Sequence, residues 1–171
     1  MKARFWYSFA LLAVTVGSAA AQSATPNWIA RPDGLGPLQA GMRTASVAKL
    51  VPGTLSPEEA NREDCGYLSI SSVRGLSLMI FEDTVVRFDI DTTTFKTSKG
   101  IGVGSTETAV LRAYPGAKVT PHPYDGPEWH YVTVDSPKDK IHRMIFETDG
   151  KNVRSYRVGR GDAVELIEGC S

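Results

Sequence analysis

Histidine is scarce in this chain, with three residues in 171, and cysteine is scarcer still, with two. Neither sign of charge is in excess, because Lys+Arg and Asp+Glu number 19 each. The charges alternate along the chain and form no basic patch. That excludes the electrostatic footprint of a nucleic-acid-binding protein or of one steered to an anionic membrane face. The longest apolar stretch, Phe5 through Val16, falls well short of the roughly 20 residues that a spanning helix needs. Catalytic signatures are missing too: there is no Gly-x-Ser-x-Gly elbow and no His-Glu-x-x-His helix. Gly100-Ile101-Gly102-Val103-Gly104 lacks the G-x-G-x-x-G spacing and the Gly-Lys-Ser/Thr of a phosphate loop. With Gly34, Gly36 and Gly41 it reads instead as a place where extended chain turns into a helix. The expectation is no enzyme, no cofactor, no nucleic-acid partner and no membrane span.

What is present begins with an export signal. Lys2 and Arg4 precede the apolar run, and Ala19 and Ala21 occupy the A-x-A positions, so cleavage is expected after Ala21. The leader carries two basic residues and no acidic one. The remaining 150 residues (171 less 21) therefore hold 17 Lys+Arg against 19 Asp+Glu, a net charge of −2, and are enough for one domain. A periplasmic or secreted location follows. In an oxidising compartment Cys65 and Cys170 read first as a disulfide. Glu63 and Asp64 beside Cys65 would raise a thiol pKa rather than activate it.

Met79-Ile80-Phe81-Glu82 returns as Met144-Ile145-Phe146-Glu147, each copy followed by a turn and a Val-Arg pair (Val86-Arg87, Val153-Arg154). Gly41 matches Gly104, Thr44 matches Glu107 and Val47 matches Val110. This is a tandem duplication, with a signal peptide at 1–21, a linker at 22–33, one unit at 34–91, a connector at 92–99 and a second unit at 100–171. In the first unit Thr44 caps a helix stopped by Pro52-Gly53, and Ser56-Pro57 with Glu59 starts a second one ending near Arg62. Strands follow over 65–70, 76–82 and 85–91. In the second unit a helix spans 106–114 and a hairpin joins 118–124 to 128–135. A second hairpin turns at Asp149-Gly150, and 163–168 forms one further strand. The first unit has no counterpart of the 118–135 hairpin. The fold class expected is α+β: two tandem helix-loop-helix plus antiparallel β-sheet units forming one extended sheet surface.

Two groups of residues compete for function. His122, Asp125, Glu128 and His130 bracket a turn and are the densest set of ligand or acid–base types, the basis of a small metal-dependent hydrolase. Alternation places His130 with Val132 and Val134 on the core side, which weakens that set. Trp129, Tyr131, Thr133 and Asp135 take the opposite face, with Tyr124 in the adjoining turn. Aromatics on an uncovered sheet suit a protein- or glycan-binding surface. A second hydrophobic layer beneath the N-terminal tail, with Trp28, accounts for them equally well.

Leu38-Gln39-Ala40-Gly41-Met42 and Ile101-Gly102-Val103-Gly104-Ser105, each leading into its helix, resemble the tandem-repeat fold of the beta-lactamase inhibitory protein. Single units of that kind occur in a small lipoprotein of the outer-membrane β-barrel assembly machinery. The chain also looks like uncharacterised exported proteobacterial proteins ending in Glu-Gly-Cys-Ser. The resemblance, over about residues 34–168, implies a non-catalytic protein that binds a protein partner in the cell envelope through an open sheet, as an inhibitor or an assembly accessory. It carries over no individual contact residue.

Overall fold

Apolar side chains two positions apart decide the architecture. Leu76 and Leu78, Phe88 and Ile90, Val132 and Val134, Met144 and Phe146, and Tyr156 and Val158 are all buried in one cluster. They come from β6 (Val73–Phe81), β7 (Thr84–Ile90), β10 (His130–Asp135), β11 (His142–Thr148) and β12 (Val153–Arg160). With β4 (Leu55–Pro57), β5 (Cys65–Ile70) and β9 (Lys118–Pro121) these strands form one eight-stranded antiparallel sheet, ordered β4-β5-β6-β7-β12-β11-β10-β9. The computed structural model describes residues 26–58 and 64–170. The expected signal peptide, the first residues of the linker and much of the expected second helix lie outside the described residues.

One face of this sheet is roofed. Val47 of the single-turn α1 (Thr44–Val47) and Val110 of α2 (Glu107–Ala113) press onto it. A four-stranded sheet, β3-β2-β1-β8, completes the roof through Ala30, Leu35, Leu38 and the adjoining Phe95. Its strands are β1 (Ile29–Arg31), β2 (Gly34–Leu35), β3 (Leu38–Gln39) and β8 (Lys96–Thr97). Trp28 stacks on Phe95 with ring centroids 6.0 Å apart, so the chain ahead of Gly34 is part of the packing. Thr106 caps α2 by accepting the Ala109 N–H at 3.1 Å. Among the described residues no helix is long and apolar enough to cross a membrane.

The protein is mostly β, and the helix-loop-helix α+β class expected from the sequence is overturned. Ser56-Pro57-Glu58 has the residue types of a helix start, yet Leu55–Pro57 pairs with β5, opposite Ile70, Ser69 and Leu68. Proline lacks an N–H to donate, and an edge strand tolerates that. The expected C-terminal strand is also corrected. Gly161–Val164 is a helical turn, α3, in which the adjacent Ala163 and Val164 are both buried. A strand would send those two side chains to opposite faces. β4 with β5 stands where β9 with β10 stands in the other half, so the first half does possess a counterpart of the 118–135 hairpin.

The two halves meet at β7 and β12 with reciprocal pairing: Phe88 faces Val158 while Ile90 faces Tyr156. Phe88 thus corresponds to Tyr156 and Ile90 to Val158. Backbone bonds repeat the correspondence, since Gly41 N–H donates to Val85 O at 2.7 Å and Gly104 N–H to Val153 O at 2.9 Å. Leu78 opposes Phe88 as Phe146 opposes Tyr156, so Phe146 matches Leu78, not Phe81. The repeated tetrapeptide is therefore out of register. Met144 and Phe146 face the roofed core, whereas Met79 packs on the other side with Val86, Ala163 and Cys170. Each half carries the same bulge: Ile80 pairs with Val85 while Met79 pairs with Arg87, leaving Val86 unopposed, and Thr148 pairs with Val153 while Glu147 pairs with Ser155, leaving Arg154 unopposed. Gly159 faces the bulge across the seam. A Cβ there would lie 2.3 Å from Val86 O, so only glycine allows the strands to close.

The turn joining β10 to β11 yields a pH prediction. Asp139 accepts the N–H groups of His142 and Ile141, each at 2.8 Å, and the His142 amide does most to hold its carboxyl down to about 2, against an ordinary 3.8. A carboxyl lowered in the folded state adds stability that is present above its ordinary value and is lost as pH falls toward about 2. Asp139→Ala should flatten the acid limb of the melting temperature between roughly pH 4 and pH 2. Superimposable limbs for the two proteins would refute this.

A candidate binding face on the sheet

The face away from the roof is polar at its centre. On β7 and β12 the side chains alternating with the core positions are Arg87, Asp89, Ser155 and Arg157, and Asp89 lies directly opposite Arg157 across the seam. These two positions correspond to each other in the two halves, so the seam is marked by one charge of each sign. A cleft of about 210 Å³ opens here, lined among others by Ser77, Asp89, Ile145, Glu147, Ser155 and Ile167.

Both arginines are turned inward. Arg87 is 4% exposed and donates from Nη1 to Ala163 O (2.9 Å) and Leu166 O (2.7 Å), from Nη2 to Tyr67 Oη (2.7 Å) and from Nε to Asp89 Oδ2 (2.9 Å). Arg157 is 8% exposed, donates from Nε to Val164 O at 2.5 Å and lies over the Tyr131 ring, 4.9 Å from its centroid. The two guanidiniums satisfy the carbonyl end of α3 and so clamp the C-terminal segment onto the face. That segment then reaches Cys170, bonded to Cys65 with Cα atoms 5.4 Å apart. Burial raises the pKa of Asp89, and Arg87 opposes the rise only in part.

Beside the cleft lies the loop between β9 and β10. His122 Nδ1 lies 3.1 Å from the Asp125 amide nitrogen and 3.0 Å from Asp125 Oδ2, and Nε2 lies 2.8 Å from Tyr131 Oη. Tyr124, Trp129 and Tyr131 surround the imidazole edge-on, with centroids at 6.3, 6.3 and 4.6 Å. His122 thus pins the loop to the sheet. Its side chain is 7% exposed, so the ring fills the space that the aromatics enclose. Tyr124 is 67% exposed and its hydroxyl donates to Glu168 at 3.0 Å, which also raises the phenol pKa.

The residues singled out in the sequence are dispersed. Tyr131 is on the expected face but only 8% exposed, packed with Ile145 and Val164, and burial raises its pKa. Trp129 and Thr133 are half-buried, and Asp135 is exposed between Lys118 (3.3 Å) and Arg143 (3.6 Å). Of the set His122, Asp125, Glu128 and His130, only the first two converge. His130 points to the roofed side, with Nδ1 2.9 Å from Glu107 of α2, while Glu128 folds against its own turn at Gly126. Glu147 joins His122 and Asp125 instead, the three offering ligand atoms within 4.8 Å of one another. Glu147 is not among the residues singled out in the sequence. Alternation from Phe146 would have placed it on the other face with Ile145.

No family model, curated protein or solved structure matches the chain. The described residues do not build the helix-loop-helix units that the resemblance to the beta-lactamase inhibitory protein implies.

Proposed function

We propose that this is an exported, non-catalytic binding protein whose unroofed sheet face receives a protein partner in the cell envelope. One observation carries the reading. A broad sheet packs its main core on one side, while its other side, partly covered by a C-terminal segment that buried arginines and a disulfide hold down, combines a polar seam cleft with exposed Tyr124, Leu166 and Ile167. A rigid platform loses little conformational entropy on association, and exposed apolar groups beside oriented polar ones are the anatomy of a protein interface. The disulfide fits an oxidising compartment.

The reading is tested by placing a photo-crosslinking residue at Thr133 or Tyr124, on the proposed surface, and at Lys49, on the roofed side, in the native envelope. A discrete adduct is expected from the first two positions and none from Lys49. Thr133→Arg, which leaves the core intact, should abolish the Tyr124 adduct without lowering the melting temperature. Adducts of equal yield from all three positions, or none from any, would remove the proposal.

A further inference from the structure

We infer that His122 is a proton-operated switch that sets the loop carrying Tyr124 on the unroofed face. This deepens the reading of that face as a binding surface, but its test needs no partner, so the two fail separately. Residues 122–129 join β9 to β10 and are tied at their base, where His122 N–H donates to Trp129 O at 2.8 Å. A second tie is the imidazole, whose two nitrogens are both engaged within the fold. The ring is therefore built in as a fastening and not as a metal ligand.

Nδ1 is the atom that decides. The amides of Tyr124 (3.3 Å) and Asp125 (3.1 Å) both donate to it, which requires an unprotonated nitrogen with its lone pair available. Asp125 Oδ2 stands 3.0 Å from the same atom, and a carboxylate is attracted there only when Nδ1 carries a proton. No single protonation state satisfies all three contacts. The neutral ring holds the two amides and repels the carboxylate; the imidazolium holds the carboxylate and repels the amides. The other edge of the ring does not choose between them, because Nε2–H donates to Tyr131 Oη (2.8 Å) in both states.

Around the ring, its own loop supplies Asp125 and the Tyr124 phenol. β10 brings Tyr131, β11 brings Glu147 with Oε1 3.9 Å from Nε2, and β12 brings Arg157 with Nη1 4.0 Å from Glu147. Glu168 of the C-terminal segment adjoins through the Tyr124 hydroxyl. The His122 side chain is 7% exposed, so water screens the change of charge only weakly. Tyr124 is where the change emerges. Its amide is one of the two that the proton releases, its side chain is 67% exposed, and its hydroxyl holds the loop to Glu168 at 3.0 Å. Protonation turns the Asp125 carboxylate onto Nδ1, frees the backbone at 124–125 and detaches Tyr124 from Glu168.

The test is NMR of the 15N-labelled, oxidised protein, with a chelator present, between about pH 8 and about pH 5, the range in which histidine ordinarily changes charge. At the upper end a coupling across the N–H···N bond from the Asp125 amide to His122 Nδ1 is expected. It should vanish as Nδ1 gains its proton. Amide protection at Tyr124 and Asp125, corrected for the intrinsic effect of pH on exchange, should fall about fivefold in the same step. The contact between the Tyr124 ring and Glu168 should be lost with it. His122→Gln, whose side chain accepts from an amide and does not titrate, should show no such step. The wild-type spectra decide whether or not that variant folds. A proton on Nδ1 throughout the range, or protection at Tyr124 and Asp125 that stays constant while Nδ1 titrates, would overturn the inference.

Discussion

The double variant Cys65→Ser/Cys170→Ser is expected to lose about 4 to 5 kcal/mol of unfolding free energy, nearly all that the chain-entropy model assigns to a loop of roughly 100 residues. The two cysteines are 105 positions apart, so the bond closes most of the domain into one loop. It also ties β5 to the segment lying across the sheet face, where Cys170 packs with Met79 and Val86. Urea unfolding of the variant and of the oxidised protein under the same conditions measures the difference. A loss below about 1 kcal/mol would mean that the unbridged denatured chain is already compact. Hydrogen exchange should accelerate first at residues 163–166, whose carbonyls the arginines hold.

Arg87→Ala is expected to cost about 3 to 5 kcal/mol, the range for removing one partner from a buried, hydrogen-bonded charge network. The guanidinium serves four acceptors at once: two main-chain carbonyls, the Tyr67 hydroxyl and Asp89. Deleting it leaves all four without that donor in a site 4% exposed. Lysine cannot substitute, because a single ammonium lacks the planar fork that reaches both the α3 carbonyls and Asp89. Arg87→Lys should therefore recover less than half of the loss in urea unfolding. Full recovery by lysine would show that charge alone, without directional bonding, holds the C-terminal segment.

Parts of this architecture were legible because the signals are local. Asp149-Gly150 marks a hairpin by its backbone preferences, and β11 and β12 do pair across it. Phe88 and Ile90 alternating with Arg87 and Asp89 separate two faces. That alternation does not show that Arg87 is buried, because solvent exposure depends on what lies above a strand, and α3 lies above this one. Ser56-Pro57 was misread for a similar reason. Its helix-start chemistry is real, but pairing with β5 satisfies the same backbone groups and carries Leu55 onto the core. The candidate site was legible as a face and not as a constellation. Tyr131 and His122 come together with Glu147 and Arg157 from β11 and β12, and no spacing within one segment encodes that meeting.

By itself the sequence determined the strand-forming alternation, the balance of charge, the glycine entries at Gly41 and Gly104, and the pairing of the only two cysteines. Each depends on residue type and near neighbours. Only the tertiary structure decided the register of the two halves. The tetrapeptides recur after 65 positions (79 to 144) whereas the halves correspond after 68 (78 to 146), an odd difference, so identical tetrapeptides present opposite faces. It also decided that the second face is partly closed. Whether Ala163 and Val164 extend as a strand or turn onto the sheet depends on Arg87, far away in the chain, and on Arg157 of the preceding strand, and on the free energy of leaving those arginines unpaired.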